Sequence, residues 1–113
     1  MSYENLQQAM VSEDPEIRRQ TVASCSELSG SEVLEILLAG LGDEDWRVRK
    51  ESVQALVVRP ADPTTVSRLV EALFPGENVG LRNAAVEALG GFGSLTVSTV
   101  DRALPQLLSL IHI

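Results

Sequence analysis

The sequence predicts an all-α fold, built as a linear array of antiparallel helix pairs, on two observations. A twelve-residue motif occurs three times, at residues 14–25, 45–56 and 78–89, and the copies align without a gap. Apolar residues spaced i, i+3, i+7 precede each copy, and the same spacing recurs after the third. Motifs that recur every 31 to 33 residues indicate supersecondary units that bury their apolar faces against one another.

The spacing i, i+3, i+7 predicts the first helix of each pair, which we call the A helix. Two turns of an α-helix bring such residues onto one face, where they can pack against a neighbour. The four apolar sets are Tyr3, Leu6 and Met10; Leu34, Leu37 and Leu41; Val66, Leu69 and Leu73; and Val97, Val100 and Leu104.

The twelve-residue motif predicts the second helix of each pair, the B helix. It begins with an Asp or Asn, whose side-chain oxygen can accept a hydrogen bond from a free amide of the first turn. Aliphatic and small residues then continue at helical spacing and predict one buried stripe per helix. The predicted stripes contain Ile17, Thr21, Val22 and Cys25; Val48, Ser52, Val53 and Leu56; and Leu81, Ala85, Val86 and Leu89.

An arginine stands four residues after the start of each motif. At that spacing it could pair with the cap residue on the surface of its own helix. It could instead reach the cap or turn of the next repeat, and we favour this ladder because a local pair does not require the same register three times. The predicted ladder comprises Asp14, Arg18, Asp45, Arg49, Asn78 and Arg82.

These motifs assign residues 1–107 to one repeat domain. We expect helices at about 3–11, 15–28, 32–41, 46–58, 63–74 and 79–89, in repeats 2–29, 31–59 and 62–92, with the first helix of a fourth repeat at 95–104. Ser31 and Asp62 are predicted N-caps, and Pro63 fits the first helical position. Gly30, Pro75-Gly76 and the glycines of residues 90–93 are predicted helix ends.

Residues 108–113 fit neither motif. Their sequence, LSLIHI, is similar to a sequencing adapter translated in frame. We therefore expect a non-native scar and a native gene that continues beyond it. The alternative is a genuine short apolar tail.

Composition excludes several classes of function. The net charge of -7 argues against nucleic acid as a partner, because phosphate binding requires a basic surface. No apolar run approaches the roughly 18 residues of a membrane span, and the N-terminus is too polar for a signal peptide. The single cysteine, Cys25, falls on a core position, and a reduced, cytoplasmic setting is the simplest inference.

The sequence offers little for catalysis. Its only histidine, His112, lies in the unusual tail, so the repeats hold no Ser-His or Cys-His arrangement and no histidine ligand for a metal. The acidic run Asp43-Glu44-Asp45 is better explained as a solvated turn with a cap than as a metal site. We expect no enzyme activity, no cofactor and no metal.

The exposed side of the B helices is the predicted binding surface. Seven of the nine basic residues lie in or just after these helices, which favours an acidic segment of a partner protein. Trp46 begins the second B helix, and it is either a binding hot spot or a cap on the core edge of its own repeat. The candidate residues are Arg19, Trp46, Arg47, Lys50, Gln54, Asn83 and Glu87.

Over residues 2–107, the helix pairs and the opening Asp-x-x-aliphatic-Arg resemble HEAT repeats, most closely the short repeats named for phycobilisome lyases. The third copy departs from that pattern, with Asn78 in place of Asp and Gly80 in the first helical turn, which places the rigidity of this helix start in question. The resemblance implies a right-handed α-solenoid of the armadillo/HEAT type, with A helices convex and B helices concave. It also implies a protein-binding scaffold or regulatory module. The alternatives are a bilin lyase subunit, or a related chromophore-handling protein, and an adaptor domain of a larger signalling protein.

Overall fold

The computed structural model describes residues 2–59, 62–74 and 78–92, and these ranges contain helices without any strand. The all-helical prediction is therefore confirmed for this part of the chain. The elements are α1 (Tyr3–Met10), α2 (Pro15–Ser24) followed by a 3-10 turn (Cys25–Glu27), α3 (Ser31–Leu41), α4 (Trp46–Val57), α5 (Pro63–Glu71) and α6 (Val79–Gly91). The A helices are α1, α3 and α5, and the B helices are α2, α4 and α6. The predicted helix at 95–104 and the tail at 108–113 lie outside the described residues.

Side-chain caps explain where the B helices begin. Asp14 accepts a hydrogen bond from the Glu16 amide at 2.9 Å, and Asp45 accepts one from the Arg47 amide at 2.8 Å. At the start of α6, the oxygen of Asn78 accepts from the amide three residues later at 2.9 Å. These bonds satisfy amides that the first helical turn leaves unpaired.

The start of α3 corrects one prediction. Ser31 is not an N-cap but the first helical residue, and Gly30 occupies the cap position with a φ of 113°. Side chains are disfavoured at such a positive φ, so the chain requires glycine here to turn into the helix. Gly30 therefore begins α3 rather than ending the preceding helix.

Helix ends also differ from the prediction, and the third A helix, predicted to reach residue 74, ends at Glu71. The first B helix ends at Ser24, because the chain tightens into the 3-10 turn that follows. The third B helix continues through its predicted glycine stop to Gly91. A Cβ atom at Gly91 would lie only 2.4 Å from Cγ1 of Val57, so this glycine permits close packing of α6 against α4.

The apolar stripes of the A and B helices meet in one core. Leu6, Leu37 and Leu69 from the A helices are nearly inaccessible to solvent, as are Val48 and Leu56 from α4. Cys25 is also fully buried, at its predicted core position.

Two residues of the predicted stripes are exposed to solvent. Ile17 is 44% exposed and Val86 is 57% exposed, although the equivalent Val48 and Val53 of α4 are covered. The reason is position in the array: among the described helices, α4 has a B helix on each side, whereas α2 and α6 each have one on a single side.

Small residues bring the helices into close contact. A Cβ atom at Gly40 in α3 would lie 2.0 Å from Oγ of Ser52 in α4. Ser52 is fully buried and donates its hydroxyl to the Val48 carbonyl at 3.0 Å, so its polar group has a partner inside the helix. No described helix is long and apolar enough to cross a bilayer.

Candidate interaction surface on the B helices

Arg18 links the first repeat to the second. Its Nε and Nη2 atoms donate to the Asp43 carboxylate at 2.8 and 3.1 Å, and its Nη1 donates to the Ser12 carbonyl at 2.7 Å. Both side chains are more than nine-tenths buried. The arginine thus reaches the turn of the next repeat rather than its own cap residue. The acceptor, Asp43, was expected only as part of a solvated turn.

Arg49 reproduces only half of this arrangement. Its Nη1 donates to the Asp43 carbonyl at 2.8 Å, six residues back, as Arg18 does to Ser12. A second contact reaches the Glu44 carbonyl at 3.2 Å. The side chain then lies over Gly80 of α6, where a Cβ atom would come within 3.0 Å of Nε. Gly80 therefore makes room for the arginine of the preceding repeat.

Asn78 makes the link from the third repeat back to the second. Its Nδ2 donates to the Gly42 carbonyl at 3.2 Å while its oxygen caps α6. An aspartate at this position could cap the helix but could not donate, which gives a physical reason for the departure from Asp. Arg82 is exposed, and residues 75–77, which precede the cap residue of its helix, lie outside the described residues.

Ion pairs connect neighbouring B helices across their exposed side. Arg19 donates to Glu16 of its own helix at 2.7 Å and to Glu51 of α4 at 2.6 Å. Between the next two helices, Lys50 and Glu87 lie 3.4 Å apart. The two glutamates at Arg19 raise the pKa of its guanidinium, and the Arg19 contact lowers the pKa of Glu16.

The predicted basic surface is therefore partly neutralised by its own carboxylates. Arg47 likewise pairs with Asp45 at 3.1 Å, which raises the pKa of the arginine and lowers that of the aspartate. Sequence reasoning overlooked Glu51 as a partner of Arg19. The available signal was their separation of 32 residues, which is one repeat plus one position and places them on adjacent helices.

A groove of about 220 Å³ lies between α4 and α6. It brings together four of the seven predicted binding residues. It is also lined by Arg49, which was predicted as a ladder residue, and by Gly80, which was noted only as a departure from the repeat pattern. Trp46 is 63% exposed at the groove, so it does not cap the core of its own repeat. The other three, Arg19, Arg47 and Gln54, lie outside the groove. The four predicted residues that line it are Trp46, Lys50, Asn83 and Glu87.

A larger cavity of about 550 Å³ lies at the opposite end of the described array. Tyr3 and Leu6 of α1 line it together with the segment that enters α3, including Glu27, Gly30 and Glu32. Nothing in the sequence predicted this cavity, because it forms where α1 meets a loop rather than within a repeated motif.

The described residues contain no group of three or more acidic, cysteine or histidine side chains placed to hold a metal ion. In the acidic turn, Asp43 binds Arg18, and Asp45 caps α4 and binds Arg47. Burial raises the pKa of the Cys25 thiol, which disfavours the reactive thiolate.

The comparisons with known proteins agree with this architecture. A family model described as HEAT repeats matches residues 3–90 and, in a second alignment, residues 37–112. No curated protein matches the chain.

Proposed function

This chain belongs to the HEAT repeats, and on that premise we propose that it is a non-catalytic scaffold or regulatory module whose B-helix surface binds a partner protein. The groove between α4 and α6 carries the proposal. It presents an exposed tryptophan, Trp46, beside Lys50 and Asn83. Tryptophan is enriched in interface hot spots, and an exposed indole next to polar groups provides an apolar anchor with an adjacent polar rim.

The packing of the helices also supports the B-helix side as the binding surface. In the middle of the array, α4 packs extensively against α2 and α6, whereas α5 makes few contacts with α3 beyond the ion pair of Arg68 with Glu35. When the B helices of neighbouring repeats pack more closely than their A helices, the array bends so that the B helices lie on the inner, concave side. We propose that the array is a right-handed superhelix with the B helices on its concave side, acting in the cytoplasm.

Charge favours an acidic segment as the partner. Lys50, an exposed cation of α4, is held by a single surface ion pair with Glu87, in which both side chains are about half exposed. Such pairs contribute only about 0–1 kcal/mol, so a carboxylate of a partner can replace Glu87 at little cost.

Bilin handling, the alternative that the resemblance to phycobilisome lyase repeats implies, receives less support at this groove. The groove volume of about 220 Å³ lies below the roughly 300–1,000 Å³ typical of small-molecule sites. A role as an adaptor domain of a larger signalling protein is compatible with the same binding surface, and no described residue distinguishes it from a free-standing scaffold.

Photo-crosslinking tests the proposal directly. A benzophenone amino acid placed at Gln54 or Asn83, on the exposed B side, should give one discrete adduct in cells of the source organism. An excess of unlabelled protein should compete it away. The same group at Gln8 or Ala39, exposed on A helices, is the matched control. Equal adducts from both sides, or adducts that do not saturate, would exclude the B-helix surface as the interface.

A further inference from the structure

The B helices α4 and α6 carry side chains of different size at equivalent positions. Their motifs begin at Asp45 and Asn78, so that Gly80 and Ala84 of α6 correspond to Arg47 and Glu51 of α4. The helix α4 therefore presents long charged side chains at positions where α6 presents small ones.

The difference changes the seam between neighbouring B helices. In the first seam, Arg19 of α2 donates to Glu51 of α4 at 2.6 Å, and both side chains are less than one-third exposed. In the second seam, Ala84 stands in the position of Glu51 and cannot supply a carboxylate. Lys50 pairs instead with Glu87, one turn further along α6, at 3.4 Å. The groove between α4 and α6 lies at this seam, where a glutamate is replaced by a methyl group.

The groove combines an apolar floor with a polar rim. Val53 and Ala84 line it and are only 6% and 5% exposed, so they form its floor. Trp46 also lines it and is 63% exposed, so its indole is available to a ligand. The exposed polar residues of the lining are Lys50, Asn83 and Glu87.

The size of the groove limits what can enter it. Its volume is about 220 Å³. An apolar cavity of about 150 Å³ accommodates a benzene ring. The groove thus has room for one large apolar side chain, and a ligand with several rings would exceed it.

We propose that the groove receives a single large apolar side chain of the partner protein, Leu, Met or Phe, which packs on Val53, Ala84 and the indole of Trp46. An acidic residue beside it complements the lining, which includes the cations Arg49 and Lys50 and one carboxylate, Glu87. The ion pair of Arg19 with Glu51 closes the first seam to such an anchor. This inference rests on the proposed function, because it assigns the chemistry of a partner to the same surface.

Short blocked peptides test the inference. The probe is acetyl-Gly-Phe-Asp-amide, and its matches are acetyl-Gly-Ala-Asp-amide, without the anchor, and acetyl-Gly-Phe-Asn-amide, without the charge. The readouts are the NMR methyl resonances of Val53 and Ala84, which a phenyl ring in the groove would shift, and the fluorescence of Trp46, the only tryptophan. We expect the Phe-Asp peptide to shift these signals in a saturable way. It should bind at least about tenfold more tightly than the Ala-Asp peptide and more tightly than the Phe-Asn peptide.

Variants make the assignment specific. Ala84→Glu restores the glutamate that α4 carries at the equivalent position, so it should close the groove and weaken binding of the Phe-Asp peptide at least about tenfold. Gln54→Glu is the matched control, because it adds the same charge one turn from Lys50 but outside the groove. It should weaken binding by less than about fivefold, the effect of a single surface ion pair.

A second variant guards against a loss of folding. Trp46→Ala removes an exposed side chain from the wall of the groove, so it should keep the fold and still weaken binding severalfold, measured by the methyl resonances. Melting temperatures verify that each variant is folded, and Trp46→Ala keeps the test usable if Ala84→Glu is unstable.

The inference fails if the Phe-Asp peptide gives no saturable shift, if the Ala-Asp peptide binds as tightly, or if Ala84→Glu and Trp46→Ala weaken binding no more than Gln54→Glu does. The crosslinking experiment separates this failure from that of the proposed function. If Ala84→Glu leaves the adduct at Gln54 unchanged, the B-helix surface is still the interface, but the partner does not enter this groove.

Discussion

At the scale of single residues, Arg18 is the most deeply buried arginine described. Its guanidinium joins the carbonyl of one turn to the carboxylate of the next, and both charged groups are almost withdrawn from water. Asp43 raises the pKa of Arg18 through this hydrogen bond, against the opposing effect of burial. Removing one side chain of such a buried ion pair leaves the other charge buried and unpaired.

We therefore predict that Arg18→Gln lowers the free energy of unfolding by about 2–4 kcal/mol, because the Asp43 carboxylate loses its counter-ion. Urea unfolding followed by circular dichroism measures the change. Arg82→Gln is the control, because an exposed substitution of this kind usually stays within about 0.5 kcal/mol. Equal effects of the two substitutions would show that the Arg18 link does not hold the first two repeats together.

Single residues also mark the limit of prediction from sequence. The caps Asp14, Asp45 and Asn78 were predictable because a cap depends on its own helix alone. For Arg18, the turn of the next repeat was predicted but not the residue within it, and Glu51 was not predicted as a partner of Arg19, because both depend on how one repeat lies on the next. The contact of the Asn78 amide also depends on the neighbouring repeat. From the sequence, Asn in place of Asp suggested a weaker helix start, whereas its Nδ2 donates to the Gly42 carbonyl.

At the scale of helices, close approach is controlled by small residues. Gly40 of α3 lies against Ser52 of α4, and Gly91 of α6 lies against Val57. Neither glycine was predicted to have this role. The residues aligned with Gly40 are Ala9 in α1 and Ala72 directly after α5, so the repeat pattern predicted a small residue there but not how closely the helices pack.

Gly40→Ala should destabilise the fold by about 1–3 kcal/mol, because the added Cβ would overlap Oγ of Ser52 and force the helices apart. Removing that oxygen with Ser52→Ala in the double variant should recover part of the loss. Thermal or urea unfolding of the three variants measures both effects.

Gly90→Ala supplies the matched control. Gly90 is also helical, but a Cβ atom there would meet nothing within 4 Å. Alanine should stabilise this position by about 0.4–1 kcal/mol, because it restricts the unfolded chain and favours the helix. The opposite signs expected at Gly40 and Gly90 separate packing from helix propensity, and equal signs would contradict the packing explanation.

At the scale of the whole molecule, the order of helices followed from the repeated motifs, whereas the properties of the surface required the structure. Ile17 and Val86 illustrate the difference. Both fit the repeat pattern, but each lies on a B helix that has another described B helix on one side only, and both are exposed. The candidate site shows the same limit. Sequence reasoning placed Lys50 on the exposed side and left Trp46 open between a hot spot and a cap, and it did not predict the ion pairs around them.

The central claim is that the B-helix surface receives a partner protein, and hydrogen–deuterium exchange of the chain with and without its crosslinked partner tests it most directly. Binding in the groove should slow exchange in α4 and α6 near Trp46, Lys50 and Asn83, and leave α1 and α3 unchanged. Protection confined to the A helices, or spread evenly over the described array, would contradict the claim.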